Sequence, residues 1–159
     1  MTVAYVGIGA NLDDPSTHVL DALNELDHLP HTRVVKRSSL YRSAPVGYAN
    51  QPDFINAVAQ IETGLPAERL LAELQQLEAR HGRSRSFANA PRTLDLDVLL
   101  YGEHSLDLPN LKIPHPRLHE RAFVLAPLVE ISPDVMIPGR GAAKPFMDST
   151  ASQKIERIG

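Results

Sequence analysis

The sequence predicts an α+β fold, because strand-like and helix-like patterns follow one another as strand, helix, strand, strand, helix, strand. Alternating stretches rich in β-branched residues mark the strands, and leucines at helical spacing mark the helices. This order is that of a ferredoxin-like βαββαβ core, which implies an antiparallel sheet with both helices packed on one face. We expect C-terminal additions after this core, and an opposite sheet face that is open to a ligand.

The element bounds follow from local patterns and from prolines, which favour the first turn of a helix. The first helix is expected to follow an N-cap at Asp14 and to run to about His28, and the second to end at Gly82. A short edge strand is expected near residues 111–113, and the chain after Pro138 predicts a loop with a short terminal helix. The main predicted strands cover residues 2–8, 32–42, 54–63 and 93–101, and the helices begin at Pro15, Pro66 and Pro116.

Composition limits the classes of protein to consider. The 159 residues fit a single domain over residues 1–159. A net charge of −3 and 5% aromatic residues disfavour a nucleic-acid-binding protein, and the absence of cysteine excludes disulfides and thiolate chemistry. No basic leader and no membrane-length apolar stretch is visible. We therefore expect a cytoplasmic monomer that binds neither nucleic acid nor a membrane.

An Asp-x-Asp pair on the last core strand is the main candidate for chemistry. Residues two apart on a strand share a face, with Cα atoms roughly 6.5–7 Å apart. Two carboxylates held so close repel unless a cation lies between them, and Mg²⁺ takes one or two carboxylates together with substrate phosphates. The pattern places Thr93, Asp95, Asp97 and Leu99 on one side of the strand, and Leu94, Leu96, Val98 and Leu100 on the other.

Arginines stand upstream of this pair. Guanidinium groups bind phosphate in bidentate fashion, so carboxylates for metal beside arginines for phosphate indicate a nucleotide polyphosphate site. An Asp-x-Asp on a strand is also often no more than its solvated face, and from the residues alone both interpretations stay open. The arginines are Arg80, Arg83, Arg85 and Arg92.

The strand and several other stretches together resemble a known family. With residues 92–99 in place, the chain resembles the 6-hydroxymethyl-7,8-dihydropterin pyrophosphokinases, folate-pathway enzymes that move a pyrophosphoryl group from ATP to a pterin alcohol. The resemblance extends from residue 2 to about residue 133. The other matching stretches are residues 8–12, 39–47, 51–57, 82–85, 114–116 and 121–128.

The resemblance implies a role for particular side chains at the nucleotide end of the site. Asp95 and Asp97 would ligate two Mg²⁺ ions that bridge the triphosphate, and Glu78 would lie by the adenine and ribose. The phosphates would be held by Arg83, Arg85, Arg92, His115 and Arg121. The resemblance also makes Asp95, Asp97, Arg83, Arg85 and Arg92 the catalytic set.

The same resemblance implies a pterin site. Phe54 and Phe123 would sandwich the pterin ring, Asn56 would read its polar edge, and Asp95 would also touch the substrate. Without the resemblance, the two phenylalanines could equally be core residues and Asn56 a plain strand residue. Further contacts to the polar edge would come from the stretch that contains Ser43, Pro45, Val46 and Gly47.

The sequence departs from the family pattern in its basic loop. Ala88 stands where a basic residue is usual, the loop is about one residue shorter, and the tryptophan of some relatives has no counterpart. Asn110 stands where some relatives have an arginine. The details of how this loop covers the site are therefore the part that the resemblance predicts least.

Two rival functions remain from the residues. A Mg²⁺-dependent nucleotidyltransferase could use the same Asp-x-Asp pair, and a ferredoxin-like domain could bind RNA on its sheet without catalysis. RNA-binding sheets need exposed aromatic residues and positive charge, which this composition lacks. No side chain is an obvious general base, so we expect positioning and metal electrostatics to provide the rate.

Overall fold

A computed structural model describes residues 1–45, 50–82 and 93–159 of the chain. The core strands and helices are β1 (Thr2–Ala10), α1 (Pro15–Leu26), β2 (Thr32–Arg37), β3 (Tyr41–Ser43), β4 (Phe54–Thr63), α2 (Ala67–Arg80) and β5 (Asp95–Tyr101). The elements that follow are β6 (Leu106–Leu108), β7 (Leu111–Ile113), a 3-10 turn (Leu118–Glu120), α3 (Ala122–Ile131), β8 (Met136–Ile137), β9 (Gly141–Ala142), α4 (Phe146–Ser149) and β10 (Ile155–Arg157).

Within residues 1–45, 50–82 and 93–159, the main sheet has six strands. Its order is β10-β3-β4-β1-β5, and β2 also pairs with β4. Every pairing in it is antiparallel. The predicted mixed fold with an antiparallel sheet is thereby confirmed.

One face of the sheet is covered by α1 and α2. Alternate residues of β1 (Ala4, Val6 and Ile8) point to this face and are at most 3% exposed. Each buried leucine of the helices is worth about 1.5–3 kcal/mol relative to an exposed one. The prediction that both helices pack on one face is confirmed, through Leu23, Leu26, Leu70, Leu74 and Leu77.

The opposite face was expected to be open, but only one end of it is. Helix α3 lies across one end of it, where Leu125 and Leu128 pack against Tyr5, Val58 and Leu99. Seven of the ten residues of α3 are buried, so this helix is too apolar to remain on the surface. The other end of the face is left uncovered by α3 and forms a cleft.

Two of the strands predicted before the second helix, over residues 2–8 and 32–42, differ from the observed ones. The first strand does not end at Ile8 but runs through Gly9 to Ala10. The predicted strand over residues 32–42 is two strands, because Ser38 interrupts it. The Ser38 hydroxyl accepts the Val58 N–H at 2.9 Å, in place of the backbone carbonyl that a regular ladder would use.

A bulge in β5 changes the alternation that the sequence predicts. Val6 pairs with Val98 and Tyr5 with Leu100, so Leu99 is an extra residue between these pairs. Leu99 and Leu100 therefore both face α3, and Leu100 does not share the face of Val98. The predicted faces of Leu94, Leu96, Asp95 and Asp97 are as expected.

Two helix starts also differ. Asp14 precedes α1 as predicted, but it has φ 63° and its carboxylate accepts the Thr17 hydroxyl at 2.8 Å instead of capping a backbone N–H. The helix ends at Leu26, just before the predicted limit. The third helix does not begin at Pro116, because the extended backbone of Arg121 separates a 3-10 turn from α3.

The last part of the chain contains more structure than predicted. Strand β7 forms as expected, but it pairs with β6 in a two-stranded sheet that is not hydrogen-bonded to the main sheet. The expected terminal helix corresponds to the four residues of α4, and β10 then adds an unpredicted strand beside β3. Three-residue strands are too short to leave an alternating pattern. Among the residues that the structure describes, no helix combines the length and the apolar composition needed to cross a bilayer.

Candidate active site

The cleft is built from two rows of residues that cross three strands of the sheet. Asn56, Gly9 and Asp95 form one row, with Gly9 in the middle. Val58, Gly7 and Asp97 form the next row. Because neighbouring strands lie about 4.8 Å apart, Asn56 and Asp95 stand roughly 9.6 Å apart with no side chain between them.

The two glycines keep this floor flat. A Cβ at position 9 would lie 3.3 Å from Asn56 Oδ1, and one at position 7 would lie 3.3 Å from a methyl group of Leu99. From the sequence alone, this Gly-x-Gly is expected to be no more than a tight strand exit, because it lacks the third glycine of a dinucleotide fingerprint. The structure corrects this expectation, since β1 continues through Gly9 to Ala10 and both glycines of the Gly-x-Gly line the cleft. The signal that could have revealed its role is that its spacing equals the spacing of Asp95 and Asp97 on the neighbouring strand.

The cleft contains about 740 Å³ of space, part of which is open solvent. Its lining includes parts of β1, β3, β4 and β5 and the start of α3. The structure therefore brings together eight of the side chains selected from the sequence, although they come from distant parts of the chain. These are Ser43, Phe54, Asn56, Asp95, Asp97, His115, Arg121 and Phe123.

Two other selected residues lie beside the cleft. Pro45 lines an adjoining groove that shares Ser43, Arg121 and Phe123 with it. Glu78 is 3% exposed on α2, and its carboxylate accepts the backbone N–H of Leu96 at 2.8 Å, between the two aspartates. Its predicted contact with the adenine and ribose stays a prediction. The remaining selected residues, Val46, Gly47, Arg83, Arg85 and Arg92, lie outside the described residues.

The carboxylates of Asp95 and Asp97 fit a magnesium site. Both line the cleft from one face of β5, and both lie opposite a glycine. In the described part of the chain, no group of three or more His, Cys, Asp or Glu side chains is arranged to bind a metal ion. Mg²⁺ commonly takes one or two carboxylates and completes its octahedron with water and substrate phosphates, which suits this donor set.

His115 presents a neutral imidazole to the same cleft. The Nδ1 of the ring accepts the backbone N–H of Arg117 at 3.2 Å, and the backbone N–H of His115 donates to Leu99 O at 3.0 Å. Burial and the nearby Arg121 and Arg117 lower the pKa of His115 below its usual 6.5, against the opposite effect of Asp95. The ring is therefore neutral at pH 7, and its proton resides on Nε2, where it can be donated to a phosphate oxygen.

The start of α3 holds Arg121 and Phe123 at the cleft. The Arg121 guanidinium lies 5.5 Å from the centre of the Phe123 ring, in a cation–π contact. Gln153 from the C-terminal region fixes this turn, since it accepts the Ala122 N–H at 2.9 Å and donates to Glu120 O at 2.7 Å. No pattern in the sequence indicates this contribution from the end of the chain.

Asn56 is 4% exposed and is oriented by β3. Its amide nitrogen donates to Ser43 Oγ at 2.8 Å and to the carbonyl of Tyr41 at 3.4 Å. Because a carbonyl only accepts, this arrangement sets the amide with its oxygen over Gly9. An asparagine amide carries both donor and acceptor groups that could pair with the polar edge of a pterin, but here the amide nitrogen donates within the protein.

Asn11 is a further residue whose role the sequence did not reveal. It is 2% exposed, and its amide donates to Gln51 Oε1 at 2.7 Å and to Pro52 O at 3.0 Å. These bonds hold the segment that leads into Phe54. Residues 8–12 and 51–57 were both part of the motif resemblance, but Asn11, Gln51 and Pro52 were given no role.

Comparison with known proteins identifies the family. The sequence model of the family described as 7,8-dihydro-6-hydroxymethylpterin-pyrophosphokinase (HPPK) matches residues 5–133. The chain is 44% identical over 154 residues to the 2-amino-4-hydroxy-6-hydroxymethyldihydropteridine pyrophosphokinase of Pseudomonas aeruginosa, covering 97% of this chain and 95% of that protein. It is 40% identical over 158 residues to the protein of the same name from Haemophilus influenzae, covering 99% of each.

The fold comparison agrees with the sequence comparison. A crystal structure of wild-type Plasmodium falciparum HPPK-DHPS with SDX-DHP matches with a TM-score of 0.71 at 12% identity. The match covers 96% of this chain but 44% of that longer one, and at this identity it shows the fold alone. The resemblance inferred from the motifs is confirmed by the family match and by the two bacterial relatives. The chain belongs to the 7,8-dihydro-6-hydroxymethylpterin-pyrophosphokinase family.

Proposed function

We propose that this chain catalyses the reaction for which its family is named: it transfers the pyrophosphoryl group of ATP to 6-hydroxymethyl-7,8-dihydropterin and releases AMP, in folate biosynthesis. The observation that carries the proposal is the cleft itself. A carboxylate pair stands at one end of a flat, glycine-lined floor, and a polar amide with aromatic neighbours stands at the other. One end suits a metal-bound polyphosphate and the other a flat heterocycle.

At the nucleotide end, Asp95 and Asp97 would hold two Mg²⁺ ions. When bound, the metal supplies charge neutralisation for the triphosphate and its leaving group. Arg121 and the Nε2–H of His115, which also line the cleft, donate hydrogen bonds to phosphate oxygens. Arg83, Arg85 and Arg92 would add positive charge, as the sequence predicts, and Glu78 keeps its predicted place beside the nucleoside.

At the pterin end, the half-buried rings of Phe54 and Phe123 offer apolar surfaces for the two faces of the heterocycle. The amide oxygen of Asn56 accepts a hydrogen bond from a ring N–H or from the amino group. Ser43 and Ala44 close this edge, and Pro45, Val46 and Gly47 would continue it.

The reaction at the junction is an in-line displacement. The hydroxymethyl oxygen of the pterin forms a bond to the β-phosphorus of ATP, the bond from that phosphorus to the bridging oxygen of AMP breaks, and the hydroxyl proton leaves to solvent. The side chains bind both substrates at the correct distance and stabilise charge that develops on the oxygens. Positioning and electrostatics thus account for the rate without a dedicated general base.

Further expectations remain proposals. The core is ferredoxin-like with C-terminal additions, which the order of its elements and the position of both α1 and α2 on one sheet face support. A cytoplasmic location, a monomeric state and the absence of a nucleic-acid partner are kept as stated from the sequence.

Product analysis tests the proposed reaction. Purified protein is incubated with ATP, Mg²⁺ and 6-hydroxymethyl-7,8-dihydropterin, and phosphorus NMR follows the products. We expect AMP and a pterin diphosphate in equal amounts, and neither product when the pterin is omitted. Release of inorganic pyrophosphate with an adenylated pterin would instead identify a nucleotidyltransferase and contradict the proposal.

A further inference from the structure

The carboxylate of Glu130 lies outside the cleft and accepts several hydrogen bonds from Ser39 and Tyr41. Glu130, on the last turns of α3, accepts hydrogen bonds from the Ser39 backbone N–H at 3.0 and 3.1 Å. It also accepts the Ser39 hydroxyl at 3.0 Å and the Tyr41 hydroxyl at 2.7 Å, and Arg157 lies 3.5 Å away. One side chain of α3 therefore binds residues at the entry of β3 and on the C-terminal strand β10.

Strand β3 depends on such contacts because it is short. It has three residues, each paired with one residue of β4 and one of β10. A three-residue ladder offers few hydrogen bonds to define its position. Ser39 and Tyr41 are the two points at which Glu130 attaches this strand to α3, and α3 itself is packed on the sheet through its buried leucines.

The position of β3 in turn sets the orientation of Asn56. The Tyr41 carbonyl and the Ser43 hydroxyl both accept from the Asn56 amide nitrogen. If β3 moved away from α3, these acceptors would move with it, and the amide of Asn56 would lose the contacts that direct its oxygen over Gly9. The contacts thus form a continuous path from Glu130 through Tyr41 to the pterin end of the cleft.

We propose that Glu130 is a positioning residue for pterin recognition, acting through β3 on the amide of Asn56. The inference rests on the proposed function, because it assigns the Asn56 end of the cleft to the pterin. Glu130 does not line the cleft and would touch neither substrate. It determines how well the protein is prepared for the heterocycle before binding.

The electrostatics of the cluster agree with a fixed role. Burial, together with the hydrogen bond to Glu130 and its charge, raises the pKa of Tyr41 to about 12. Burial alone would raise the pKa of Glu130, but the hydrogen bonds from Tyr41 and Ser39 and the charge of Arg157 bring it below its usual 4.5. At neutral pH the carboxylate is ionised and the phenol protonated, so the donor and acceptor roles are unambiguous.

Binding measured separately for each substrate tests the proposal. Isothermal titration calorimetry gives the Kd of 6-hydroxymethylpterin and the Kd of Mg²⁺-ATP for the wild type, Glu130→Ala and Glu130→Gln. The matched control is Tyr5→Phe, which removes the 2.9 Å hydrogen bond from Tyr5 to Ser132, another link between the sheet and the end of α3, without touching β3. Circular dichroism confirms that each variant is folded at the titration temperature.

We expect Glu130→Ala to raise the Kd of the pterin about tenfold and to leave the Kd of Mg²⁺-ATP within about twofold, where tenfold corresponds to about 1.4 kcal/mol. Glu130→Gln keeps an acceptor for the Ser39 N–H and should recover part of the loss. Tyr5→Phe should bind both ligands like the wild type. If Glu130→Ala does not fold, the intermediate Kd expected of Glu130→Gln decides.

Two results would overturn the proposal. Pterin binding that is unchanged in folded Glu130→Ala, or an equal loss for both ligands, would show a structural role only. A wild-type protein that does not bind the pterin would contradict the proposed function as a whole, and is distinguished from the first result because it appears without any substitution.

Discussion

The two faces of the sheet differ in composition although the same strands build both. From β1, Ala4, Val6 and Ile8 meet α1 and α2 in a continuous apolar layer, while Tyr5 meets α3 and the glycines face the cleft. The first face is filled with leucine and has no ligand to accommodate. The second has a continuous apolar core only at the end that α3 covers, and its other end combines polar and aromatic side chains. The comparison indicates that both faces contribute a packed core, whereas the side chains suited to chemistry lie only at the uncovered end of the second face.

The largest expected effect is on turnover, at the carboxylate end. Asp97→Ala should lower kcat by at least ~100-fold, since the metal contributes several kcal/mol to transition-state stabilisation. The melting temperature should fall little, because Asp97 is half-buried at the cleft and relief of repulsion with Asp95 offsets any loss. Asp107→Ala, which removes an exposed carboxylate in β6, serves as the control and should retain full turnover. Near wild-type turnover of Asp97→Ala at saturating Mg²⁺ would exclude the metal-ligand role.

The next effect is on the free energy of unfolding. The two faces should lose similar stability and differ in pterin binding. Leu74 on α2 and Leu125 on α3 are both fully buried, so either substitution to alanine should cost about 2–5 kcal/mol in the free energy of unfolding. Only Leu125→Ala should also weaken pterin binding by the protein that remains folded, because α3 carries Phe123. Urea denaturation followed by calorimetry measures both quantities. Equal loss of pterin affinity in the two variants would remove the distinction between the faces.

A smaller effect is expected at the floor of the cleft. Gly9→Ala places a Cβ 3.3 Å from Asn56 Oδ1, over the path between Asn56 and Asp95. We expect the Kd of the pterin to rise about tenfold, an effect of about 1.4 kcal/mol. Gly64→Ala is the control, since its Cβ would meet nothing closer than 3.4 Å and the residue is exposed. Unchanged pterin affinity in Gly9→Ala would mean that the ligand does not lie over this glycine.

The smallest effect concerns pH. The pKa of Glu130 is lower in the folded protein than its usual 4.5, so this group stabilises the fold above pH 4.5 and its contribution is lost as pH falls through the lowered value. Glu130→Gln removes that titration. The difference in unfolding free energy between wild type and Glu130→Gln should therefore shrink as the pH is lowered from 6 into the acid range below 4.5. A difference that stays constant over this range would show that the carboxylate is not stabilised by folding.

What the sequence could predict is what depends on local pattern. Alternation in β4 predicted that Phe54, Asn56 and Val58 share a face, and leucine spacing predicted which side of α2 is buried. The bulge at Leu99 was not predictable, because it is a property of the pairing between β1 and β5. The contact between Ser39 and Glu130 joins residues 91 positions apart, and no local signal in either segment points to the other.

In the candidate site, too, the features that depend on local pattern were predictable and those that depend on tertiary contacts were not. Asp95, Asp97, Asn56 and both phenylalanines could be selected from the sequence because their spacing and motif context were informative. The cleft brings all five together. The role of the two glycines was missed, since a residue without a side chain shows its function only when its cross-strand neighbours are known. Gln153 and β10 were missed because the structure of the chain end depends on tertiary contacts and not on a regular pattern.

Calorimetry on Phe123→Ala is the sharpest test of pterin binding at the uncovered end of the α3 face. An aromatic contact is worth roughly 0.5–1.5 kcal/mol beyond the area that it buries, so the Kd of the pterin should rise at least tenfold. Phe146→Ala removes a ring that packs at the edge of the α3 core and does not line the cleft, and should change neither affinity. We expect Phe123→Ala to bind Mg²⁺-ATP like the wild type when no pterin is present. An equal loss of ATP and pterin binding would show that Phe123 is a structural core residue and that the pterin site lies elsewhere.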